Sequence, residues 1–310
     1  MVARFGPAGI PKDYKGKSPE VVNYLRSEGL NAYEYEAVRG VKIRDDNAKK
    51  LGMLAKLTDV KITIHAPYFI NLGSQDEIIL QKSINRIYET MRVAEIMGAE
   101  IIVVHPGYYG GSREMALKIV EGALEELRKK KRGGEKLGLE TMGRISQIGS
   151  LEEIINFHLN FPDFVVPIID WGHLEARSLG HVRTQQQIDN ITSALVSNLS
   201  GDIAQNIHCH FSKMEFSRTG EVRHHDLSDK GYYPQFELVA RSMLEHGIVK
   251  PTFIAETSAL DKDAIFMRDE FYRIKQNMGI ARILLRQVAL RLNQSKPQWV
   301  PYSLQYLCIE

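Results

Sequence analysis

Two textures alternate along the chain. Short runs rich in β-branched and aromatic residues are separated by longer stretches in which apolar residues recur at helical spacing. The short runs predict strands over residues 3–5, 32–37, 61–66, 100–105, 137–141, 164–170, 206–211 and 252–257. Several, such as EIIVVH and FVVPIID, are nearly continuous apolar runs, the signature of strands buried on both faces of a parallel sheet. The longer stretches predict helices over 18–28, 75–97, 113–131, 150–158, 185–199, 235–246 and 261–292. Ser18-Pro19 opens the first as a cap followed by proline, and Ser150-Leu151-Glu152-Glu153 has the form of a capping box. Eight strands alternating with helices predict an α/β architecture, the (β/α)8 TIM barrel, in one domain spanning 1–310 with 294–310 as a C-terminal extension. The rival open sheet of the dinucleotide-binding type lacks its GxGxxG after the first strand.

Composition narrows the setting. A hydrophobic fraction of 44% and a charged fraction of 25% fit a globular chain able to build a large core. The net charge of +2 makes no general case for nucleic acid, so any such contact must be local. Cys209 and Cys308 form no CxxC pattern, and a reducing cytoplasm is the expected home. The N-terminus lacks the apolar core of a signal peptide, and no apolar run is long enough to span a membrane. The charge run RKKKRGGEK at 128–136 reads as a solvated turn at the N-terminal end of the barrel. No protein partner is indicated.

The chemistry lies at the strand ends. From the third strand onward, successive strands terminate in His65, His105, Glu140, Asp170 (with His173 three residues later), the pair His208 and His210, and Glu256. In a parallel barrel all C-terminal strand ends share one face, so these residues converge on the barrel axis. Burying so many imidazoles and carboxylates without partners would be very costly, and metal coordination offsets that cost. A set of His, Asp and Glu without Cys suits Zn²⁺, with Mn²⁺ or Fe²⁺ as alternatives, and its size implies at least two ions. His208 and His210 are two apart and face the same way on a strand, so either can be the ligand, while Cys209 faces the helices. Asp170 and His173 cannot share a strand face, so the chain must turn between them. The polar stretch after the seventh strand, SKMEFSRTGEVRHHD, reads as an exposed loop at the functional end and carries Glu221, His224, His225 and Asp226.

The motifs HAPYFINLGS, VVHPG, LET-x-G, D-x-x-H, H-x-H-F-S-K followed by RHH, and AETS occur in this order over roughly residues 60–260. Together they resemble the endonuclease IV family, metal-dependent apurinic/apyrimidinic endonucleases with a xylose-isomerase-like TIM barrel. The resemblance implies three zinc ions. His65, His105 and Glu140 would hold the first. Glu140, Asp170, His208 and Glu256 would hold the second, with Glu140 bridging and Lys213 setting the alignment in favour of His208 over His210. His173 and His224 would contribute to the third. It further implies damaged duplex DNA as partner, cleavage of the phosphodiester 5′ to an abasic site, Glu140 and Glu256 as catalytic carboxylates, and Tyr68 and Phe69 as residues that push into DNA.

Three features depart from the family pattern. Val222 stands where the family has an acid two residues before the histidine matching His224, and Glu221 is the nearest carboxylate. The segment Glu140-Thr141-Met142-Gly143 is one residue shorter than its counterpart. The segment after the second strand, EAVRGVKIRDD, offers Arg39 or Arg44 without a clear match to the family's DNA-entering arginine. The same superfamily contains sugar isomerases and epimerases, so a small-sugar enzyme with Lys213 as proton-transfer base is the alternative. A metal-loaded DNA-binding protein without turnover is a third reading.

Overall fold

The computed structural model describes residues 2–294, with side chains through 279. Ten strands are present among them: β1 (Arg4–Pro7), β2 (Ala32–Glu36), β3 (Lys61–His65), β4 (Ile101–Val104), β5 (Lys136–Glu140), β6 (Val165–Asp170), β7 (His208–Phe211), β8 (Lys213–Ser217), β9 (Gly220–His225) and β10 (Thr252–Ala255). Eight form one parallel sheet in the order β1-β10-β7-β6-β5-β4-β3-β2, and β8 with β9 forms a separate antiparallel hairpin. The two end strands meet through a parallel bridge between Ala8 and Glu34, with the Gly9 amide donating to the Glu34 carbonyl at 2.9 Å. The sheet thereby closes on itself, and with helices between its strands it is a (β/α)8 barrel.

The described chain divides into two units after residue 271. The barrel occupies the first, and the last helix, Asp261–Gln294, begins there and continues as the described part of the second. The proposed extension falls almost wholly outside the described residues, as does Cys308.

Parity decides what each strand offers. Side chains two apart point the same way. On β7, His208 and His210 point into the barrel, whereas Cys209 and Phe211 point out, Phe211 meeting Phe236 edge-on at 5.1 Å. On β10, Phe253 points out and stacks on Phe5 of β1 at 5.9 Å, which leaves Ile254 facing in. Below the site the lumen between β4 and β6 is filled by Ile101, Val103, Val166 and Ile168. The apolar layer thus ends where the polar strand ends begin.

The helices largely follow the sequence pattern, with informative exceptions. Ser150 and Glu153 form the expected reciprocal capping box on helix Leu151–Asn160. Ser18 is the first residue of a 3-10 turn (Ser18–Glu20) capped by Lys17, rather than a cap itself. Helix Asp45–Thr58 is not predicted by the hydrophobic pattern. Its apolar face is small, Ala48, Leu51 and Ala55, and Gly52 interrupts it. That glycine is a packing residue, since a Cβ there would strike the Met97 carbonyl at the end of helix Glu77–Met97. The stretch expected as an exposed loop after β7 is the β8–β9 hairpin. The charge run at 128–136 turns into the start of β5, and its cations pair with Glu126, Glu95 and Asp163.

Gly6 marks the seam. A Cβ at this position would collide with the backbone carbonyl of Ala32, so only glycine lets β1 lie beside β2. Gly6→Ala should therefore destabilise the protein by about 2 kcal/mol or more, within the usual range for forced overpacking, read as a lower urea midpoint. An unchanged midpoint would mean that the seam has room to spare.

Candidate metal centre

Glu140 is the last residue of β5 and is wholly buried. Its Oε2 lies 3.4 Å from His65 Nε2 and 3.1 Å from His105 Nε2, and its Oε1 lies 3.1 Å from His173 Nδ1 and 3.3 Å from His210 Nδ1. Three sets of ligand-type atoms surround it, each set within 4.8 Å of one another: His65, His105 and Glu140; Glu140, Asp170, His210 and Glu256; and His173, Glu221 and His224. His65 Nε2, Glu140 Oε2 and Asp170 Oδ2 are buried without an aligned hydrogen bond. Close approach without alignment is what ligands aimed at a common centre show, so these residues fit divalent cations.

The imidazoles are held from behind. His65 Nδ1 donates to the Ala66 carbonyl at 2.8 Å, His173 Nδ1 to Thr141 at 2.9 Å, and His224 Nδ1 to Glu256 at 3.1 Å. A carbonyl can only accept, so a proton must sit on Nδ1, which leaves Nε2 as the ring atom a cation would take. Asp170 resolves the turn required before His173. Its Oδ1 accepts from the His173 amide at 2.6 Å as the N-cap of helix Trp171–Arg177, and its Oδ2 stays with the metal-type group.

Charges are displaced accordingly. Burial opposes ionisation of Glu140, but His105 and His210 outweigh it and hold the carboxyl well below its usual range. Burial would also favour neutral His65, yet Glu140 and Glu36 lift it to about 10. For Asp170 burial prevails, reinforced by Glu256 and Glu140, and moves it up to about 6. Burial likewise opposes ionised Glu221, but His224 and His173 bring it down to about 2.

The hairpin supplies the third group through a bulge. Glu215 pairs with Arg223 and the next residue, Phe216, pairs with Glu221, which leaves Val222 as an extra residue in β9. An extra residue inverts strand parity, so Glu221 and His224, three apart, come to share a face. The carboxylate missing at position 222 is thus supplied from 221, with Glu221 Oε1 at 3.6 Å from His224 Nε2 and Oε2 at 3.5 Å from His173 Nε2. The short Glu140–Gly143 segment is matched to this arrangement. The Glu221 amide donates to the Gly143 carbonyl at 3.2 Å, and a Cβ on Gly143 would sit 2.7 Å from that of Glu221. Neighbouring His225 turns away, between Asp229 at 2.9 Å and Glu215 at 3.2 Å, stacked on Tyr232.

On β7 the structure sets His210, rather than His208, in the group with Asp170 and Glu256. His210, nearer the strand end, stands beside Glu140 and Glu256, the latter 3.0 Å from its Nδ1. His208 lies one side-chain layer deeper, 3.2 Å from Glu34, and is absent from the set containing Asp170 and Glu256. Burial holds His208 down at about 4. Two further acids lie outside every motif, Glu34 and Glu36 of β2. Their alternation with Tyr33 and Tyr35 is the available signal, and burial pushes Glu36 up to about 8. Lys213 is no free base, because its buried Nζ donates to the carbonyls of Leu227 and Asp229 at 2.6 and 2.7 Å.

A cleft of about 350 Å³ opens above the centre, lined by Tyr68, Tyr108, Arg144, His173, His224 and Glu256 among others. Tyr68 stacks on His105 at 5.0 Å with half its surface exposed, and Phe69 is 68% exposed. Arg39 and Arg44 are exposed and do not line the cleft. A larger cavity, about 870 Å³, lies at the opposite barrel end around Arg4, Lys61 and Thr252, away from the three groups. No described helix is long and apolar enough to cross a membrane.

Residues 22–274 match the family model described as xylose isomerase-like TIM barrel. An uncharacterized protein of Methanocaldococcus jannaschii is 31% identical over 272 residues, covering 85% of this chain and 94% of the relative. A probable endonuclease 4 of Moorella thermoacetica is 31% identical over 151 residues, and the match spans 46% of this chain and 53% of that relative. Among solved structures, endonuclease IV from Thermus thermophilus superposes with a TM-score of 0.63 at 19% identity, covering 88% of this chain and 99% of that one. A D-tagatose 3-epimerase-like protein does so with a TM-score of 0.62 at 18% identity, covering 89% and 99%. At these identities the structural likenesses speak for the fold alone. The match across most of the chain agrees with the closed eight-stranded barrel and its polar C-terminal mouth: the chain belongs to the xylose isomerase-like TIM barrel family.

Proposed function

We propose that the protein is a metal-dependent phosphodiesterase that cleaves duplex DNA 5′ to abasic sites. The observation that carries this reading is the set of three ligand groups side by side at the base of one cleft. Sugar isomerisation needs one or two cations, for which Glu140, Asp170, His210 and Glu256 would suffice. The flanking groups around His105 and His224 have no evident part in that chemistry. A phosphodiester transition state gathers negative charge on several oxygens, which clustered cations are suited to stabilise.

In this reading His65, His105 and Glu140 hold one ion, Glu140, Asp170, His210 and Glu256 a second, and His173, Glu221 and His224 a third. Zn²⁺ suits the donor set, with Mn²⁺ or Fe²⁺ as alternatives. When bound, the cations supply Lewis acidity toward the oxygens of the scissile phosphodiester. The protein's own groups do the placing. Glu140 is the shared catalytic carboxylate that sets the spacing between two groups. Glu256 borders the cleft as the second catalytic carboxylate, with Oε1 3.0 Å from His210. Exposed Arg144 stands at the mouth, where a phosphate arrives. Tyr68, Phe69 and Tyr108 offer exposed rings for stacking on unpaired bases beside a lesion. The abasic gap is what admits the backbone to a cleft of about 350 Å³. A cytoplasmic location belongs to the same reading, in keeping with a buried, unpaired Cys209. The alternative, a sugar epimerase on the four-residue group, draws on the epimerase-like fold neighbour but loses Lys213 as its base.

Three outcomes test the proposal. Incubated with a duplex carrying one abasic analogue and Zn²⁺ or Mn²⁺, the protein should nick the strand 5′ to the lesion, and His105→Ala should lower the rate by about 100-fold or more. No incision with any divalent metal, or ketohexose epimerisation instead, would sink the reading. Phe69→Ala should raise KM about 5-fold or more with kcat nearly unchanged, because stacking on a base is worth about 1–3 kcal/mol. Chelation should lower the thermal midpoint and re-addition of zinc restore it, since metal at ~100 times its Kd contributes about 2.7 kcal/mol. Identical melting curves with and without chelator would count against the metal centre itself.

A further inference from the structure

Beneath the three groups, inside the barrel, lies a fourth, of which the phosphodiesterase reading uses only His210. Glu34 of β2 and His208 and His210 of β7 present ligand atoms within 4.8 Å of one another. Glu34 and His210 are wholly buried and His208 is 2% exposed. The lumen of such a barrel is normally packed with branched apolar side chains, so a carboxylate and two imidazoles here require compensation.

The approach distances are 3.2 Å from His208 Nε2 to Glu34 Oε2 and 3.0 Å from His210 Nε2 to Glu34 Oε1. Simple hydrogen bonds would be aligned along these lines. They are not: Glu34 Oε1, His208 Nε2 and His210 Nε2 are all buried without an aligned hydrogen-bond partner. The same combination, short separation without alignment, occurs at His65 Nε2 and Glu140 Oε2 in the mouth. Ligands about 2.0–2.2 Å from a tetrahedral ion lie roughly 3.3 Å from each other, close to the separations found here. Behind the carboxylate, the Thr63 hydroxyl donates to Glu34 Oε2 at 2.6 Å, the kind of outer contact that fixes a ligand's orientation.

We infer that Glu34, His208 and His210 form a further divalent-cation site in the barrel lumen, distinct from the three groups at the mouth. Two imidazoles and one carboxylate suit Zn²⁺ best and Mn²⁺ or Fe²⁺ next. His210 joins the two levels. Its Nδ1 faces Glu140 and Glu256, and its Nε2 faces Glu34, so the one ring borders both the lumen site and the mouth. Buried one layer beneath the mouth, the lumen site would be structural, tying β2 to β7 across the barrel. The inference holds whichever substrate the cleft takes.

The full-length protein would be loaded with ZnCl₂, freed of loose metal by gel filtration, and crystallised for anomalous diffraction at the zinc edge. Metal per chain would be counted by mass spectrometry without substrate. The expected result is an anomalous peak bounded by Glu34, His208 and His210, separate from peaks at the mouth. His208→Gln should remove that peak and about one equivalent of zinc while leaving the others. Should that variant fail to fold, Glu34→Gln or the unmodified protein's own anomalous map decides between a filled and an empty lumen. Peaks at the mouth with none in the lumen would overturn this inference and leave the proposed function standing. A lumen peak that survives His208→Gln would overturn it as well. Zinc at the lumen and mouth together with no DNA incision would fault only the proposed activity.

Discussion

The structure depends on one buried carboxylate. Glu140 has no exposure, and four imidazoles from four different segments close on its two oxygens at 3.1–3.4 Å. An isolated ionised carboxylate in this position would cost several kcal/mol after relaxation. Compensation therefore has to come from β3, from the segment after β4, from helix Trp171–Arg177 and from β7 at once. Each of the four imidazoles lowers the cost of burying Glu140 and gains a partner of its own. The barrel's closure at the Ala8–Glu34 bridge serves the same end, bringing β2 and its acids round to face β7.

Backbone carbonyls give this cluster its direction. With Nδ1 of His65, His173 and His224 committed to Ala66, Thr141 and Glu256, each ring turns its Nε2 inward. The carbonyls belong to residues just past the strand ends, where the ladder stops and acceptors become available. Strand termination thus does two things: it frees a carbonyl to orient a ring, and it places that ring at the level of the next strand's ligand.

Much of this is legible in the sequence. Continuous apolar runs ending in a single ionisable residue indicate the parallel barrel and place His65, His105, Glu140, Asp170 and Glu256 on one face. What the sequence does not convey is depth and parity. His208 and His210 look equivalent because both face the lumen, and only the stagger of β7 against β6 and β10 places His210 at the mouth, opposite Asp170. Glu34 and Glu36 are inconspicuous because AYEYEA alternates like a half-exposed strand, and the closing bridge that buries it is a long-range contact. Helix Asp45–Thr58 is hidden by a glycine whose reason is a neighbouring helix.

Val222 shows why motif spacing and geometry can part company. Counted along the chain, an acid is missing two residues before His224. In space, the bulge absorbs Val222 and returns Glu221 to the face that His224 occupies. The hairpin carrying this pair is no part of the barrel sheet. It is seated by the Glu221 amide on the Gly143 carbonyl and by the Ile145 amide on Thr219. The first two groups are thus built on barrel strands and helix caps, whereas the third straddles barrel and hairpin. A change in hairpin length or in the Glu140–Gly143 segment can reshape the third group while leaving the barrel's hydrogen-bond ladder intact.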